Sequence, residues 1–342
     1  MRESGVFRLL EQNPAKVLVV DDEEPIRKLL SSLLLPRGYL VAQAASVEEA
    51  QEKLSSLAPD LVVLDVHMTG LSGHDLLRQI RETPATRLLP VIMLTGTPTG
   101  ADRLRAIEGG VTDFIAKPFA PEELLARVLS LVRMKRFTDA LEDAENVIVS
   151  LAKAIDARDP YTARHSERVS LYAGRLARVI GLKGLKLEAC RRGGLFHDLG
   201  KIAVRDAVLL KPGRLTPEEF AEIKRHPVEG KNLLSGMKTL AFALDVVYGH
   251  HERIDGSGYP EGRRGEAIPI TARVTTIADI YDALTTARTY RGASTRPEAL
   301  TIMKEEAARG WWDGRLLEEF RGILETIPEV DPLSALVESD SG

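Results

Sequence analysis

Two different rhythms of apolar residues divide this chain. Up to about residue 134, short β-branched runs bounded by turn residues alternate with longer segments of helical spacing. Residues 16–20, 61–64 and 90–94 read as strands buried on both faces, and 39–42 and 112–115 complete a set of five. Helical spacing over 25–35, 47–57, 73–81 and 121–133 falls between or after them. The alternation predicts an α/β domain with a doubly wound five-stranded parallel sheet, whose ligands bind beyond the C-terminal strand ends. From about residue 147 helical spacing takes over. Residues 151–157, 164–180, 186–195, 217–225, 227–234, 271–284 and 296–308 all carry it, and an all-α bundle is expected.

A third pattern joins the two. Pro121 opens a helix and no proline follows until Pro160. Met134, Phe137, Leu141, Ala144, Ile148, Leu151 and Ile155 recur at alternating three and four, with Arg133, Lys135, Arg136, Glu142, Asp143 and Glu145 off that line. This is a heptad seam, read as a long helix that pairs with a second copy in a homodimer. The expected division is 14–134 for the α/β domain, 135–150 for a coiled-coil linker, 151–333 for the helical domain and 334–342 for a flexible tail.

Composition sharpens the picture by exclusion. A net charge of −4 leaves no generic nucleic-acid footprint, no DNA-binding element is evident, and a phosphate ligand would need a local group of Lys and Arg. No apolar run reaches the ~18–20 residues that span a bilayer, and residues 1–14 lack the apolar core of a signal peptide. One cysteine, Cys190, excludes an intramolecular disulfide framework. A cytoplasmic protein is expected, with no membrane contact.

Polar residues of the first domain fall where its ligand site should be. Asp21 and Asp22 follow the first strand, Asp65 the third, Thr95 the fourth and Lys117 the fifth. Carboxylates at strand ends suit Mg²⁺. A phosphoryl donor held beside Asp65 can be attacked by its carboxylate, with Thr95 and Lys117 on the phosphoryl oxygens. Val19-Val20-Asp21-Asp22, Asp65-Val66-His67-Met68, Leu94-Thr95-Gly96 and Lys117-Pro118-Phe119 resemble the receiver domain of two-component response regulators. The resemblance implies Asp65 as phosphoacceptor, Asp21, Asp22, Asp65 and the carbonyl of His67 on Mg²⁺, Thr95 and Phe114 as the switch pair with Lys117 beside them, and a sensor histidine kinase as partner. Thr69 stands where that family usually has proline, a change expected to affect only the loop.

The helical domain holds five of the chain's seven histidines: His165, His197, His226, His250 and His251. Asp198 follows one of them directly. Asp279 interrupts an apolar helical face, where a bare carboxylate is costly. Imidazoles and carboxylates without cysteine suit Fe, Mn, Zn or Ni. The surplus of ligands implies at least two ions, with Asp198 bridging and His250 and His251 serving different ions. Ion pairs about 3.5–4 Å apart are a device for phosphodiester hydrolysis. Lys201, Arg288 and Arg291 are placed to hold phosphates, and Tyr259 offers a ring to a nucleobase.

Asp159-Pro160-Tyr161-Thr162 with His165 and Arg168, His197-Asp198-Leu199-Gly200-Lys201, Lys211-Pro212-Gly213, His226-Pro227, His250-His251-Glu252 with Asp255-Gly256-Ser257-Gly258-Tyr259-Pro260, Asp279-Ile280-Tyr281-Asp282-Ala283-Leu284 and Arg288-Thr289-Tyr290-Arg291 resemble the HD-GYP family of HD-type phosphohydrolases. The resemblance implies hydrolysis of cyclic di-GMP to pGpG or GMP. It assigns metal ligation to His165, His197, Asp198, His226, His250, His251 and Asp279, catalysis to His197, Asp198 and Lys201, and substrate contacts to Lys201, Tyr259, Arg288 and Arg291. Tyr161 replaces the glutamate of members that resemble a three-metal type, so two ions, iron or manganese first, are expected. Ile254 stands where tryptophan is common, away from the chemistry. A competing reading is a non-catalytic nucleotide sensor, or a docking module for a diguanylate cyclase.

Overall fold

The computed structural model describes residues 13–96, 100–158, 164–286, 292–328 and 332–333. Tyr161, Arg288 and Arg291 lie outside the described residues. The chain separates into two compact units that divide between Ala144 and Glu145.

In the first unit β1 (Lys16–Val20), β2 (Leu40–Ala44), β3 (Leu61–Asp65), β4 (Val91–Thr95) and β5 (Asp113–Ala116) form one sheet in the order β2-β1-β3-β4-β5. All pairings are parallel. The helices are α1 (Glu24–Leu34), α2 (Val47–Leu57), α3 (Gly73–Glu82), α4 (Gly100–Glu108) and the first part of α5 (Pro121–Arg158). Alternate strand residues feed two cores. Leu18, Val20, Val62 and Leu64 pack with α2, α3 and α4, while Val17, Val19, Leu61 and Val63 pack with α1 and α5. Two-sided burial explains the unbroken apolar runs of the inner strands. It also sets Asp21, Asp65 and Thr95 at the C-terminal edge of the sheet. The helix between β4 and β5 has no counterpart among the sequence-predicted segments.

α5 runs unbroken for 38 residues from the first unit into the second. Its expected seam splits. Met134, Phe137 and Leu141 stay exposed at 51%, 59% and 41%, whereas Ile155 is buried and Ile148 packs beside it, in a core with Ala152, Phe196 and Leu199. The last turns of the helix therefore serve the second unit's own core.

The second unit continues with α6 (His165–Val179), α7 (Leu185–Phe196), α8 (Asp206–Leu209), α9 (Pro217–Ile223), α10 (His226–Leu234), α11 (Leu244–Gly249), α12 (Ile270–Thr285), α13 (Arg296–Ala308) and α14 (Gly314–Leu324). A larger core joins α6, α7, α12, α13 and α14 through Val169, Leu176, Cys190, Ile277, Met303 and Phe320. α14, with no sequence-predicted counterpart, begins at Asp313, whose carboxylate caps the amides of Arg315 and Leu316. Among the described helices none is long and apolar enough to cross a membrane.

Candidate metal centres

Five elements bring their polar ends together in the helical unit. α6 supplies His165 from its first residue, and the end of α7 supplies His197 and Asp198. α10 supplies His226 from its first residue, the end of α11 supplies His250 and His251, and the buried side of α12 supplies Asp279. Close backbone approach makes this convergence possible. A β-carbon on Gly200 would lie 1.9 Å from the carbonyl oxygen of His226, so only glycine fits where the Asp198 turn meets α10.

The side chains form two groups of ligand atoms: Asp198, His226, His250 and His251 in one, and His165, His197 and Asp279 in the other. His250 and His251 thus share a group, contrary to the expectation that they serve different ions; both end the same helix, so their side chains reach the same side of the centre. Asp198 faces both groups. Its Oδ1 lies 3.4 Å from His226 Nε2, and its Oδ2 lies 3.4 Å from His197 Nε2. That is the geometry of a bridging carboxylate. Lys201, one turn on, also pairs with Asp198.

The imidazoles are set up as ligands. His197 Nδ1 donates to the Gly194 carbonyl at 2.8 Å, His226 Nδ1 to Ile223 at 2.8 Å and His250 Nδ1 to Val247 at 2.9 Å. A carbonyl only accepts, so each ring keeps its hydrogen on Nδ1 and turns an Nε2 lone pair inward. His226 and His250 point those nitrogens at each other across 3.1 Å, His165 and His197 across 3.3 Å. The His226 and His250 pair wastes two acceptors unless a cation lies beside it, and the donor set fits divalent metals.

Charge tells the same story in two ways. Burial holds His226 down to about 4 and His251 to about 3, and drives His250 well below its usual range, helped by neighbouring imidazoles. These rings are neutral at pH 7 and free to ligate. Burial also opposes a proton on His165, but Asp279 and Asp282 outweigh it and lift the group to about 10. The potential in this second group favours a cation. Asp198 and Asp279 are both depressed despite burial, Asp198 chiefly by Lys201 and His197, and Asp279 by His165 and His197.

Asp282 belongs to the Asp279–Leu284 motif, and the structure gives it a role that the motif alone does not show. Its Oδ2 accepts from His165 Nδ1 at 2.7 Å, while Arg168 grips both its oxygens at 2.6 and 2.9 Å. The available signal was its spacing: three residues after Asp279, it shares that helical face. Glu252 is a second such residue. It is buried and accepts from the amides of Glu261 and Arg263, pinning the loop that carries Tyr259.

A cavity of about 550 Å³ opens over the centre. Lys201, Lys224, Arg253, Tyr259 and Trp312 line it together with the ligands. Tyr259 lies 4.7 Å from His251, centroid to centroid, with the rings tilted by 32°.

The α/β unit has a centre of its own. Asp21, Asp22 and Asp65 converge at the strand ends, and Lys117 Nζ bridges Asp21 at 2.9 Å and Asp65 at 2.8 Å. Burial raises Asp65 against the pull of Lys117. His67 donates its amide to Asp65 at 3.1 Å. Thr95 Oγ1 is buried without a hydrogen-bond partner among the described residues, as a hydroxyl reserved for an incoming oxyanion would be. Phe114, opposite Met93 on the neighbouring strand, packs against the edge of the core. Thr69 does more than alter the loop: its amide and hydroxyl donate to Asp22 at 2.9 and 3.0 Å and lower that carboxylate's pKa. Proline there would have neither donor.

A doubly wound α/β unit with carboxylates clustered at its strand ends, joined to a helical unit with a His/Asp cluster, defines a two-part signalling protein. Comparison with known proteins gives the same two parts: residues 17–129 match the response regulator receiver domain, and 150–316 match the HD domain. The chain is similar to the cyclic di-GMP phosphodiesterase response regulator RpfG of Xanthomonas campestris pv. campestris, 35% identical over 320 residues that cover 86% of this chain and 84% of that protein. It is also similar to a cyclic di-GMP phosphodiesterase of Thermotoga maritima, 30% identical with 92% of each chain covered. Over 167 residues it is 41% identical to 3'3'-cGAMP-specific phosphodiesterase 3 of Vibrio cholerae, covering 48% of this chain and 36% of that one. The chain belongs to the response regulators that join a receiver domain to an HD domain, the family of RpfG.

Proposed function

We propose that this chain is a metal-dependent phosphodiesterase of the HD-GYP type that hydrolyses cyclic di-GMP to pGpG or GMP under the control of Asp65 phosphorylation. One observation carries the reading: two ligand groups lie on either side of Asp198, which belongs to one and faces the other, in a cavity large enough for a nucleotide. His165, His197 and Asp279 would hold one ion, His226, His250 and His251 the other, with Asp198 between them. Iron or manganese fits the mixed imidazole and carboxylate set. When bound, such ions supply Lewis acidity and a nucleophilic hydroxide at neutral pH.

The chain's own residues do the rest. The His197 and Asp198 pair fixes where the scissile phosphate lies, and Lys201 draws its charge. Tyr259 stacks a base, and Arg288 and Arg291 take phosphate contacts by resemblance. Water oxygen bonds to phosphorus, the bond from phosphorus to the 3′ oxygen breaks, and that oxygen takes a proton; the product is linear with a 5′ phosphate. In the receiver, Asp21, Asp22, Asp65 and the His67 carbonyl would hold Mg²⁺, and Asp65 accepts the phosphoryl group from a sensor histidine kinase. Thr95, Lys117 and Phe114 respond to it. The working parts are 14–134, 135–150 and 151–333, with a homodimer formed along the exposed part of α5 and a diguanylate cyclase as a further partner, all in the cytoplasm.

A second substrate reading has a specific support, the 41% identity of the catalytic half to a 3'3'-cGAMP-specific enzyme. Anaerobic loading with Fe²⁺ or Mn²⁺, followed by product identification on both dinucleotides side by side, tests the two. Turnover of cyclic di-GMP lost in Asp198→Ala is the expected result. Metal-loaded protein that binds the dinucleotide without turnover would overturn the enzymatic reading and leave a sensor.

A further inference from the structure

Asp156 is a buried carboxylate that belongs to neither ligand group. It lies in the last turn of α5. Its Oδ2 accepts from the amide of Ser166 at 2.9 Å, and its Oδ1 accepts from the Ser166 hydroxyl at 3.0 Å. Ser166 is the second residue of α6 and directly follows the ligand His165.

That amide needs an acceptor from outside its helix. The first amides of a helix have no partner within it, and a side chain just before the helix commonly accepts from one of them. α6 lacks this device: Arg164 precedes it in the left-handed region, at φ 59°, and its side chain makes no cap. Asp156 supplies the cap from another helix, and a carboxylate suits the positive end of the helix dipole. His165 is thereby held twice. Asp282 orients its ring, while Asp156 fixes the turn of backbone from which the ring projects. Two residues after Asp156, Arg158 donates to the carbonyls of Lys201 and Val204 at 3.4 and 3.3 Å, in the turn that follows Asp198. The end of α5 thus holds backbone beside ligands of both groups.

We propose that Asp156 is a positioning residue for the His165, His197 and Asp279 group: from the last turn of α5 it fixes the start of α6, and so the point from which His165 reaches its ion. The inference rests on the two-ion reading given above. Asp156 acts through His165 and takes no part in bond breaking.

Chelator-buffered Mn²⁺ titration of the full chain, read by elemental analysis beside the midpoint of chemical denaturation, tests this. In Asp156→Ala one ion is expected to bind about tenfold more weakly, the low end for outer partners of metal ligands, while the other keeps its affinity. Asp156→Asn keeps an oxygen for the Ser166 amide and should restore most of the loss. Unchanged affinities with a lower midpoint overturn the proposal and leave Asp156 a helix cap alone. Equal weakening of both ions overturns it as well, since general loosening does not choose between the groups. If Asp156→Ala fails to fold, Ser166→Ala decides: it removes one of the two bonds, so the same single ion should weaken by a smaller factor, and no change there sinks the assignment. Wild-type chain that binds fewer than two Mn²⁺ defeats the two-ion reading and this assignment with it.

Discussion

Asp282 touches no substrate, yet it decides how His165 presents its lone pair. The carboxylate takes the Nδ1 hydrogen, and Arg168 fixes the carboxylate with two further bonds. Asp282→Asn keeps the volume but weakens this chain of charge. Outer partners of this kind change metal affinity by about 10–100-fold. The variant should therefore lose one ion per chain at limiting metal, read by elemental analysis, with phosphodiesterase activity falling in step. Full occupancy would show that His165 needs no such support. Gly200 makes the complementary point about backbone. Any β-carbon there meets the His226 carbonyl and the amide of Gly230 at 2.5 Å. Gly200→Ala should cost about 1–3 kcal/mol by overpacking, measured as a lower midpoint of chemical denaturation. It should also weaken the ligand group to which His226 belongs. The candidate ligand types were legible in the sequence because histidine and aspartate clusters are rare in apolar helices, and the structure brings them together. The assignment of His250 and His251 to ions was not, because it depends on where a helix ends relative to Asp198.

At the scale of elements, α5 is the most instructive. Its heptad pattern reads as one seam, but the structure commits Ile155 to the helical unit's core and leaves Met134, Phe137 and Leu141 exposed. Periodicity reports which residues share a helical face and says nothing of what covers it. Exposed apolar residues at heptad spacing fit pairing with a second copy. Phe137→Glu with Leu141→Glu should convert a dimer into a monomer in sedimentation experiments, and leave the melting of each unit in place. Ile155→Ala should do the opposite. It opens a cavity in the core with Ala152 and Phe196, and should cost about 2–5 kcal/mol in the helical unit without altering the oligomeric state. A dimer that survives the paired glutamates would place the interface elsewhere. α4 and α14 show the other limit of sequence reading. α14 does carry a local signal, apolar residues at helical spacing over Leu316, Leu317, Phe320, Ile323 and Leu324 after a capping aspartate, while its packing on α6 is a contact across distance in sequence.

The whole molecule divides between Ala144 and Glu145, within a helix that belongs to both units. Alternating strands and helices, then helices alone, made the two architectures readable, since each buries its apolar residues with its own period. What stayed hidden were contacts made across distance in sequence, such as Thr69 on Asp22 and Glu252 on the amides beyond Pro260. The two centres give each unit a separate handle on its stability. An ion that binds only folded protein stabilises it by about 2.7 kcal/mol at a hundredfold excess over Kd. For a unit of about 200 residues that corresponds to roughly 5–10 °C in Tm. Chelation of the transition metals should therefore lower a thermal transition assigned to the helical unit by that amount. Two carboxylates of the centre, buried Asp198 and largely buried Asp279, lose a counter-charge at the same time. Beryllofluoride with Mg²⁺, a mimic of the phosphoryl group on Asp65, should raise a transition assigned to the receiver and give Thr95 Oγ1 the acceptor it lacks among the described residues. Asp65→Asn should abolish the second shift and leave the first. Calorimetry reads both in one sample. If a single transition moves with either ligand, the continuous helix couples the units in unfolding; if the beryllofluoride shift persists in Asp65→Asn, the phosphoacceptor assignment fails.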